Sequence, residues 1–208
     1  TNITSIIRAE NTLYVGTKTG LFSYNTDDNS LVTFSKLDGI SSLNISALNY
    51  SPESGILIIG YTDGNIDLLL NGKIINIPYI NTANILASKH INHISIDNDI
   101  AYIACPFGLV KLDLINQEVL ETYQFFNNNT PLEVFQTHVF DGDVNSPADN
   151  FLANKIFVGT SGGLFYADKN ANLLDYTVWL NDSRISLSQG NNSFILGANN
   201  FPILNVTG

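Results

Sequence analysis

The chain has 208 residues, enough for one well-cored domain, and its 44% apolar and 11% aromatic content is that of a folding sequence despite a charged fraction of only 13%. Nineteen acidic residues against nine basic ones give a formal net charge of −10, which excludes nonspecific binding to nucleic acid or to an anionic membrane, since both need a positive field. Cys105 is the single cysteine, so an intrachain disulfide and a cysteine metal cluster are excluded, and no apolar run approaches the roughly 18 residues that span a bilayer. No signal peptide is visible at Thr1 and the chain lacks methionine, so it reads as a processed or excised piece.

The predicted elements are short strands throughout. Ile3 to Ile7 reads as an inner strand ending at the turn Glu10-Asn11-Thr12, and Leu13 to Gly16 as a second strand. Thr17 to Gly20 turns the chain, with Gly20 where a positive φ costs least. Leu21 to Tyr24 and the alternating Leu31 to Phe34 complete four strands, which make one blade. The second blade takes Ile45 to Tyr50, Ile56 to Gly60, Ile66 to Leu70 and Ile74 to Ile77. The third takes Ile91 to Ile96, Ile100 to Ala104, Leu109 to Leu114 and Val119 to Tyr123. β-Branched residues dominate and Gly or Pro recurs every few positions, so a helical reading fails. The fourth blade runs from Val134 to Phe140, through extra residues from Asp141 to Ala153, to Lys155–Gly159 and Leu164–Ala167. Its fourth strand is assigned to Leu173–Leu180, and a fifth repeat begins near Ile185-Ser186-Leu187.

One stretch, Tyr14-Val15-Gly16-Thr17-Lys18-Thr19-Gly20-Leu21-Phe22, returns as Phe157 to Phe165, with looser echoes from Ile58, Tyr102 and Ile195. Two strand formers, a small residue, a polar turn, usually Gly, and strand formers again recur at spacings of 44, 44, 55 and 38 residues. Such a period, built of short strands, marks an all-β fold: a β-propeller of four-stranded antiparallel blades. The expected blades are 1–38, 39–86, 87–130, 131–180 and 181–208, the last incomplete. Because an unsealed ring would leave bare edges, these five blades are expected to be part of a larger propeller. The recurrence of the glycines at fixed offsets reads as hairpin geometry rather than as a ligand loop.

The repeat resembles the two-component-regulator propeller repeat, with Tyr14 to Leu21 and Phe157 to Leu164 fitting its W/Y-[IV]-G-T-x-x-G-L core. Longer stretches are similar to the PorZ-type propeller proteins of Bacteroidetes: Leu37 to Ser41, Asn44 to Ser46, Gly60 to Leu68, Lys73 to Pro78, Gly108 to Asp113, Glu121 to Tyr123, Gly163 to Asp168 and Asp175 to Trp179. The run Gly60-Tyr61-Thr62-Asp63-Gly64-Asn65-Ile66-Asp67-Leu68 carries the most specific part. This resemblance implies a non-catalytic binding scaffold of the type IX secretion apparatus, in the periplasm or at the cell surface beside the outer membrane. It also implies secretion-complex partners such as the sortase. The alternative it implies is the periplasmic oligosaccharide-sensing propeller of a hybrid two-component regulator, in which Tyr61, Phe107 and Tyr123 are candidate aromatic platforms for a glycan.

No catalytic, cofactor-binding or metal-binding residue emerges from the sequence. Asp141, Asp143, Asn145 and Asp149 occupy oxygen-ligand positions of a candidate calcium loop, but glycine is missing at its sixth position and Leu152 stands where glutamate is required. The favoured reading is an Asp-Gly turn with a solvated insertion, and this insertion is the loop expected to contact partners. His90 and His93 are three apart and would point to opposite faces of a strand, and His138 is isolated in sequence. Cys105 reads as packed. The acids Glu10, Glu53, Asp97 and Asp99 fall in turns after inner strands and are not paired as a hydrolase needs. Sequons at Asn2, Asn44, Asn128, Asn181, Asn191 and Asn205 read as products of an Asn-rich composition.

Overall fold

The structure, a computed structural model, describes residues 2–140 and 154–182 in full, and of the residues after 182 only the backbone of 193–196 and 202–205. The candidate calcium loop, the partner-loop assignment at 141–153, the strand at Ile185–Leu187 and the Asn191 sequon lie outside the described residues.

Four four-stranded antiparallel meanders make up the described blades. The first is β1 (Ile3–Ala9), β2 (Thr12–Thr17), β3 (Gly20–Asn25) and β4 (Leu31–Phe34), and the second is β5 (Ile45–Ser51), β6 (Ile56–Tyr61), β7 (Ile66–Leu70) and β8 (Lys73–Ile77). A single helical turn, α1 (Tyr79–Thr82), leads to the third: β9 (His93–Asp97), β10 (Ile100–Cys105), β11 (Gly108–Asp113) and β12 (Glu118–Tyr123). A two-residue-stranded hairpin, β13 (Phe126–Asn127) and β14 (Thr130–Pro131), precedes the fourth: β15 (Val134–Phe140), β16 (Lys155–Thr160), β17 (Gly163–Asp168) and β18 (Leu180–Asp182). β19 (Ser193–Leu196) and β20 (Pro202–Asn205) form a further antiparallel pair. The propeller reading therefore holds, with strand order following chain order in every sheet. Two strand assignments differ. The third inner strand begins at His93, because Ile91 and Asn92 instead donate their N–H groups to Tyr61 and Ala104 carbonyls. The segment 173–179 is not a strand: Leu173 and Trp179 fold inward, Trp179 Nε1 donates to the Leu173 carbonyl at 2.9 Å, and pairing with β17 starts only at Leu180.

Middle strands are sandwiched between neighbouring blades and must be apolar on both faces. β6 is accordingly buried at all six positions, whereas the outer β4 is largely exposed. What spaces the blades is a recurrent contact. Ile45 opens β5 and is fully buried against Gly16 of β2 in the preceding blade; a Cβ on Gly16 would lie 2.5 Å from Ile45 Cγ2. Ile91 does the same one blade on, and a Cβ on Gly60 would lie 2.7 Å from its Cγ2. At the third junction the glycine is replaced by Ala104 and the isoleucine by Val134, so one side gains a methyl where the other loses one, within a shared cluster. The repeat's glycines are thus of two kinds. Gly20, Gly108 and Gly163 take positive φ at the turn, as read from sequence, but Gly16 and Gly60 have no positive φ and are sockets for the next blade, a correction to the hairpin reading.

Polar side chains tie the same junctions. Thr4 Oγ1 donates to the Ile45 carbonyl at 2.7 Å, Asn49 Nδ2 to the Ile94 carbonyl at 2.8 Å and Asn92 Nδ2 to the Val134 carbonyl at 2.7 Å. Among the described residues no helix is long and apolar enough to cross a membrane.

The socket contact makes a double substitution informative. Gly60→Ala is expected to destabilise the fold by about 1–3 kcal/mol through overpacking. Adding Ile91→Val should recover part of that loss, because the pair then matches Ala104 and Val134. Chemical denaturation of the two single variants and the double variant measures the coupling; strictly additive effects would show that the socket does not set the spacing.

Candidate binding groove

The meander fixes two ends of the propeller. The first-to-second and third-to-fourth strand turns share one end; the second-to-third turns and the inter-blade connectors share the other. Phe140 and Lys155, which bracket the 141–153 insertion, sit at the first end.

The connector end carries the candidate site. Exposed apolar side chains recur there: Leu37 and Leu43 in the first connector, Tyr79 and Leu86 in the second and Phe126 in the third, with Leu37 and Leu86 almost fully exposed. The short hairpin turns of the other end are Asn-, Asp- and Gly-rich and expose Ile115, while the long β17–β18 segment starts at that end and carries the exposed Leu174 and Tyr176 to the groove. Between α1 and the hairpin β13–β14 lies a cavity of about 570 Å³, within the range of ligand-binding clefts. Tyr79 and Ile80 form one wall, Phe107, Val110 and Thr122 the floor, and Gln124, Phe126, Leu174 and Tyr176 the other wall. None of the lining residues is ionisable near neutral pH.

Each wall is held by ordinary packing. Ile80 is buried against the second-to-third turn of its blade at Gly64, which anchors α1 and leaves Tyr79 outside. Tyr176 donates its hydroxyl to the Phe126 carbonyl at 2.9 Å, which joins the hairpin to the segment before β18. Beneath them, Phe125 contacts Trp179 edge-on with ring centroids 4.9 Å apart and Phe165 at 5.2 Å. Asn128 and Asn129 both adopt positive φ at the hairpin tip, the geometry a two-residue turn demands.

Of the three sequence-read platforms, Phe107 lines this groove, itself only 8% exposed, whereas Tyr61 and Tyr123 are buried and do not line it. Tyr61 instead donates its hydroxyl to Asp67 Oδ2 at 2.7 Å; burial and that carboxylate push its pKa up. Asp67 also accepts from Ser41 N at 2.7 Å, Ser41 Oγ at 2.5 Å and Asn76 Nδ2 at 3.0 Å. The most specific run of the sequence is therefore a structural clasp. Tyr79 and Phe126 were missed because they stand in connectors, outside the repeated strands, and Tyr176 because its segment was assigned to the outer strand of the fourth blade. Their one signal was placement: aromatic residues among turn formers.

The remaining candidates separate. Cys105 is fully buried, and burial pushes its thiol up. Asp97 pairs with Lys169 of the next blade at 2.8 Å, and Asp99 accepts from Ser51 Oγ at 3.0 Å. Among the described residues no three His, Cys, Asp or Glu side chains gather as a metal set. His90 stands in a connector, while His93 opens β9. His93 and His138 lie on adjacent inner strands, a neighbourhood the repeat spacing could have revealed. Burial, with His138 adding to it, lowers the His93 pKa from 6.5 to about 4. His93 Nδ1, Ser95 Oγ, Gln136 Oε1 and Thr137 Oγ1, on these two strands, are buried without a hydrogen-bonding partner, the kind of group that buried water satisfies.

The comparisons with known proteins bear on this arrangement. The model of a protein family described as the PorZ N-terminal β-propeller domain of the type IX secretion system matches residues 13–180. No curated protein matches the chain. Among solved structures, PorZ, a bacterial surface component of the type IX secretion system of Porphyromonas gingivalis, superposes with a TM-score of 0.72 at 23% identity, over 87% of this chain and 22% of its own. The extracellular domain of the putative one-component system BT4673 from B. thetaiotaomicron gives 0.71 at 18% identity, over 96% of this chain and 26% of that one. A second structure of BT4673, described as a putative hybrid two-component system, gives 0.67 at 19% identity, over 90% and 23%. The chain thus spans about a quarter of the length of these proteins.

Because the His93 pKa is depressed in the folded state, its neutral form contributes stability that is full above pH 6.5 and is lost as the pH falls towards 4. The loss should reach about 3 kcal/mol at the acid end. In His93→Gln, the stability difference from the parent should shift by a comparable amount between pH 7 and pH 4. Parallel stability curves across that interval would refute it.

Proposed function

We propose that this chain, which belongs to the family of PorZ N-terminal β-propeller domains, is a non-catalytic binding scaffold that docks protein partners of an outer-membrane secretion and attachment complex. The observation that carries this reading is that exposed apolar side chains stand in each of the first three inter-blade connectors, beside an uncharged aromatic groove. Exposed aromatic and aliphatic side chains set on a rigid frame are the usual make-up of protein interfaces. The proposed location is the periplasm or the cell surface, and the sortase of the secretion complex is the first partner to test. The 13–180 family match supports the choice of complex, and the acidic balance supports partners other than nucleic acid or lipid phosphate.

A second reading, recognition of an oligosaccharide, is favoured by the groove itself, where Tyr79, Phe107, Phe126 and Tyr176 stand with Gln124 and Thr122. Aromatic faces beside amide and hydroxyl groups suit the apolar faces and hydroxyls of a neutral sugar.

Phe126→Ala and Leu86→Ser in the full-length protein should leave its melting temperature unchanged and weaken sortase-complex capture at least about tenfold, the scale of losing an interface anchor. Because no charge lines the groove, capture should change little between low and physiological salt. Undiminished capture by both variants would defeat the docking reading. Retention on a neutral glycan array, abolished by Tyr176→Ala, would favour the second one.

A further inference from the structure

The inner strands of the described blades share one register, so their junctions compare position by position. Ser5, Ala47 and His93 are counterparts, paired on the second strand with Gly16, Gly60 and Ala104. Two positions on, Asn49 and Ser95 correspond, paired with Ile58 and Tyr102. Between them stand Leu48 and Ile94, and in the fourth blade Thr137, paired with Ile59, Ile103 and Val158. Leu48 and Ile94 lie against Gly16 and Gly60 of the preceding blade, so Thr137 faces the third blade from the same place. At the first two junctions a side chain of this set bonds straight across. Ser5 Oγ accepts from Leu48 N at 3.1 Å, and Asn49 Nδ2 donates to the Ile94 carbonyl at 2.8 Å. At the junction of the third and fourth blades the corresponding His93 Nδ1 and Ser95 Oγ make no such bond, and Thr137 Oγ1 is likewise buried without a protein partner. Ser95 and Thr137 are 5% and 3% exposed.

We propose that the junction of the third and fourth blades is a hydration site, in which ordered water links His93 Nδ1 and Ser95 Oγ of β9 to Thr137 Oγ1 of β15 and replaces the direct bridges of the earlier junctions. Ser95 is a shorter side chain than Asn49, so it stops short of the backbone that Asn49 reaches one junction earlier. Thr137 puts a hydroxyl where Leu48 and Ile94 put only carbon, and an unbonded hydroxyl is costly to bury. Three polar atoms facing one junction supply the two to four partners that a buried water requires. Water donates to the imidazole Nδ1, which places the ring proton on Nε2, and the two hydroxyls each donate or accept as the water demands. Burial keeps the imidazole neutral, in keeping with a neutral occupant. A metal ion does not fit: no carboxylate or thiolate belongs to the set, and a buried cation without a counter-charge is strongly disfavoured. Gln136 is the fourth blade's counterpart of His93 and belongs to the next junction.

The test is a crystal structure of the full-length protein at a resolution that shows ordered solvent, with Thr137→Val as the companion variant. Density should link the three atoms through contacts of about 2.7–3.2 Å, the hydrogen-bond range. A dry junction, or protein groups bonded directly to His93 Nδ1 and Ser95 Oγ, would overturn the proposal. Contacts near 2.0–2.1 Å from the imidazole would also overturn it, because that range belongs to a metal ion. Valine keeps the shape of threonine but cannot hold water, so Thr137→Val should lower the melting temperature and weaken the solvent density. A higher melting temperature would count against the site, since replacing a hydroxyl that truly lacks a partner by a methyl group stabilises a core.

Discussion

The structure depends on one steric fit: a β-branched side chain at the head of an inner strand entering the space left by glycine in the blade before. A Cβ on that glycine would meet Ile45 at 2.5 Å or Ile91 at 2.7 Å, so the blades could not approach as closely with any larger residue there. That approach in turn buries the middle strands on both faces and lets short polar side chains reach the neighbouring backbone, as Thr4, Asn49 and Asn92 do. Burial of each such isoleucine contributes about 1.5–3 kcal/mol, and the fit is what converts that burial into a fixed angular step. The Ala104 and Val134 junction shows that the fit concerns volume rather than residue identity.

A framework held at its blade junctions leaves the connectors free to vary. They do: the first holds a short 3-10 turn, the second a helical turn and the third a hairpin. These unlike segments converge on one end, and each exposes a large apolar side chain among its polar ones. The opposite end is built from hairpin turns whose geometry demands Asn, Asp and Gly, and it is polar as a result. The division between a conserved-geometry frame and a variable rim is how repeat proteins commonly carry specificity. Carboxylates such as Asp97, at the end of an inner strand, are taken up by ties between blades, here to Lys169.

Most of the strand framework was legible in the sequence, because a middle strand between two blades has to be a short run of Ile, Leu and Val, and a tight turn has to contain Gly or Asn. The outer strand of the fourth blade was not legible. Leu173 and Trp179 look like strand residues by composition, but their burial comes from folding back on Phe125 and Phe165, a tertiary contact without periodicity. The dual role of the glycines was equally hidden, since a turn glycine and a socket glycine leave the same letter in the same motif. The groove was half-visible. Phe107 falls inside the repeat and was found; Tyr79 and Phe126 fall between repeats and were not, and Tyr176 was hidden in a segment assigned as an outer strand. Tyr61 and Tyr123 were misjudged because a repeated aromatic position gives no hint of which face of the blade it occupies.

The clasp around Asp67 has a kinetic side. Its carboxylate is fully buried and takes hydrogen bonds from a tyrosine in the preceding strand, an asparagine in the following one and a serine in the connector before the blade. A partly assembled second blade would hold that negative charge out of water with its donors still missing, a state penalised by several kcal/mol. The segment from Ser41 to Asn76 should appear and disappear as one cooperative unit, and its slowest-exchanging amides should share a single opening event.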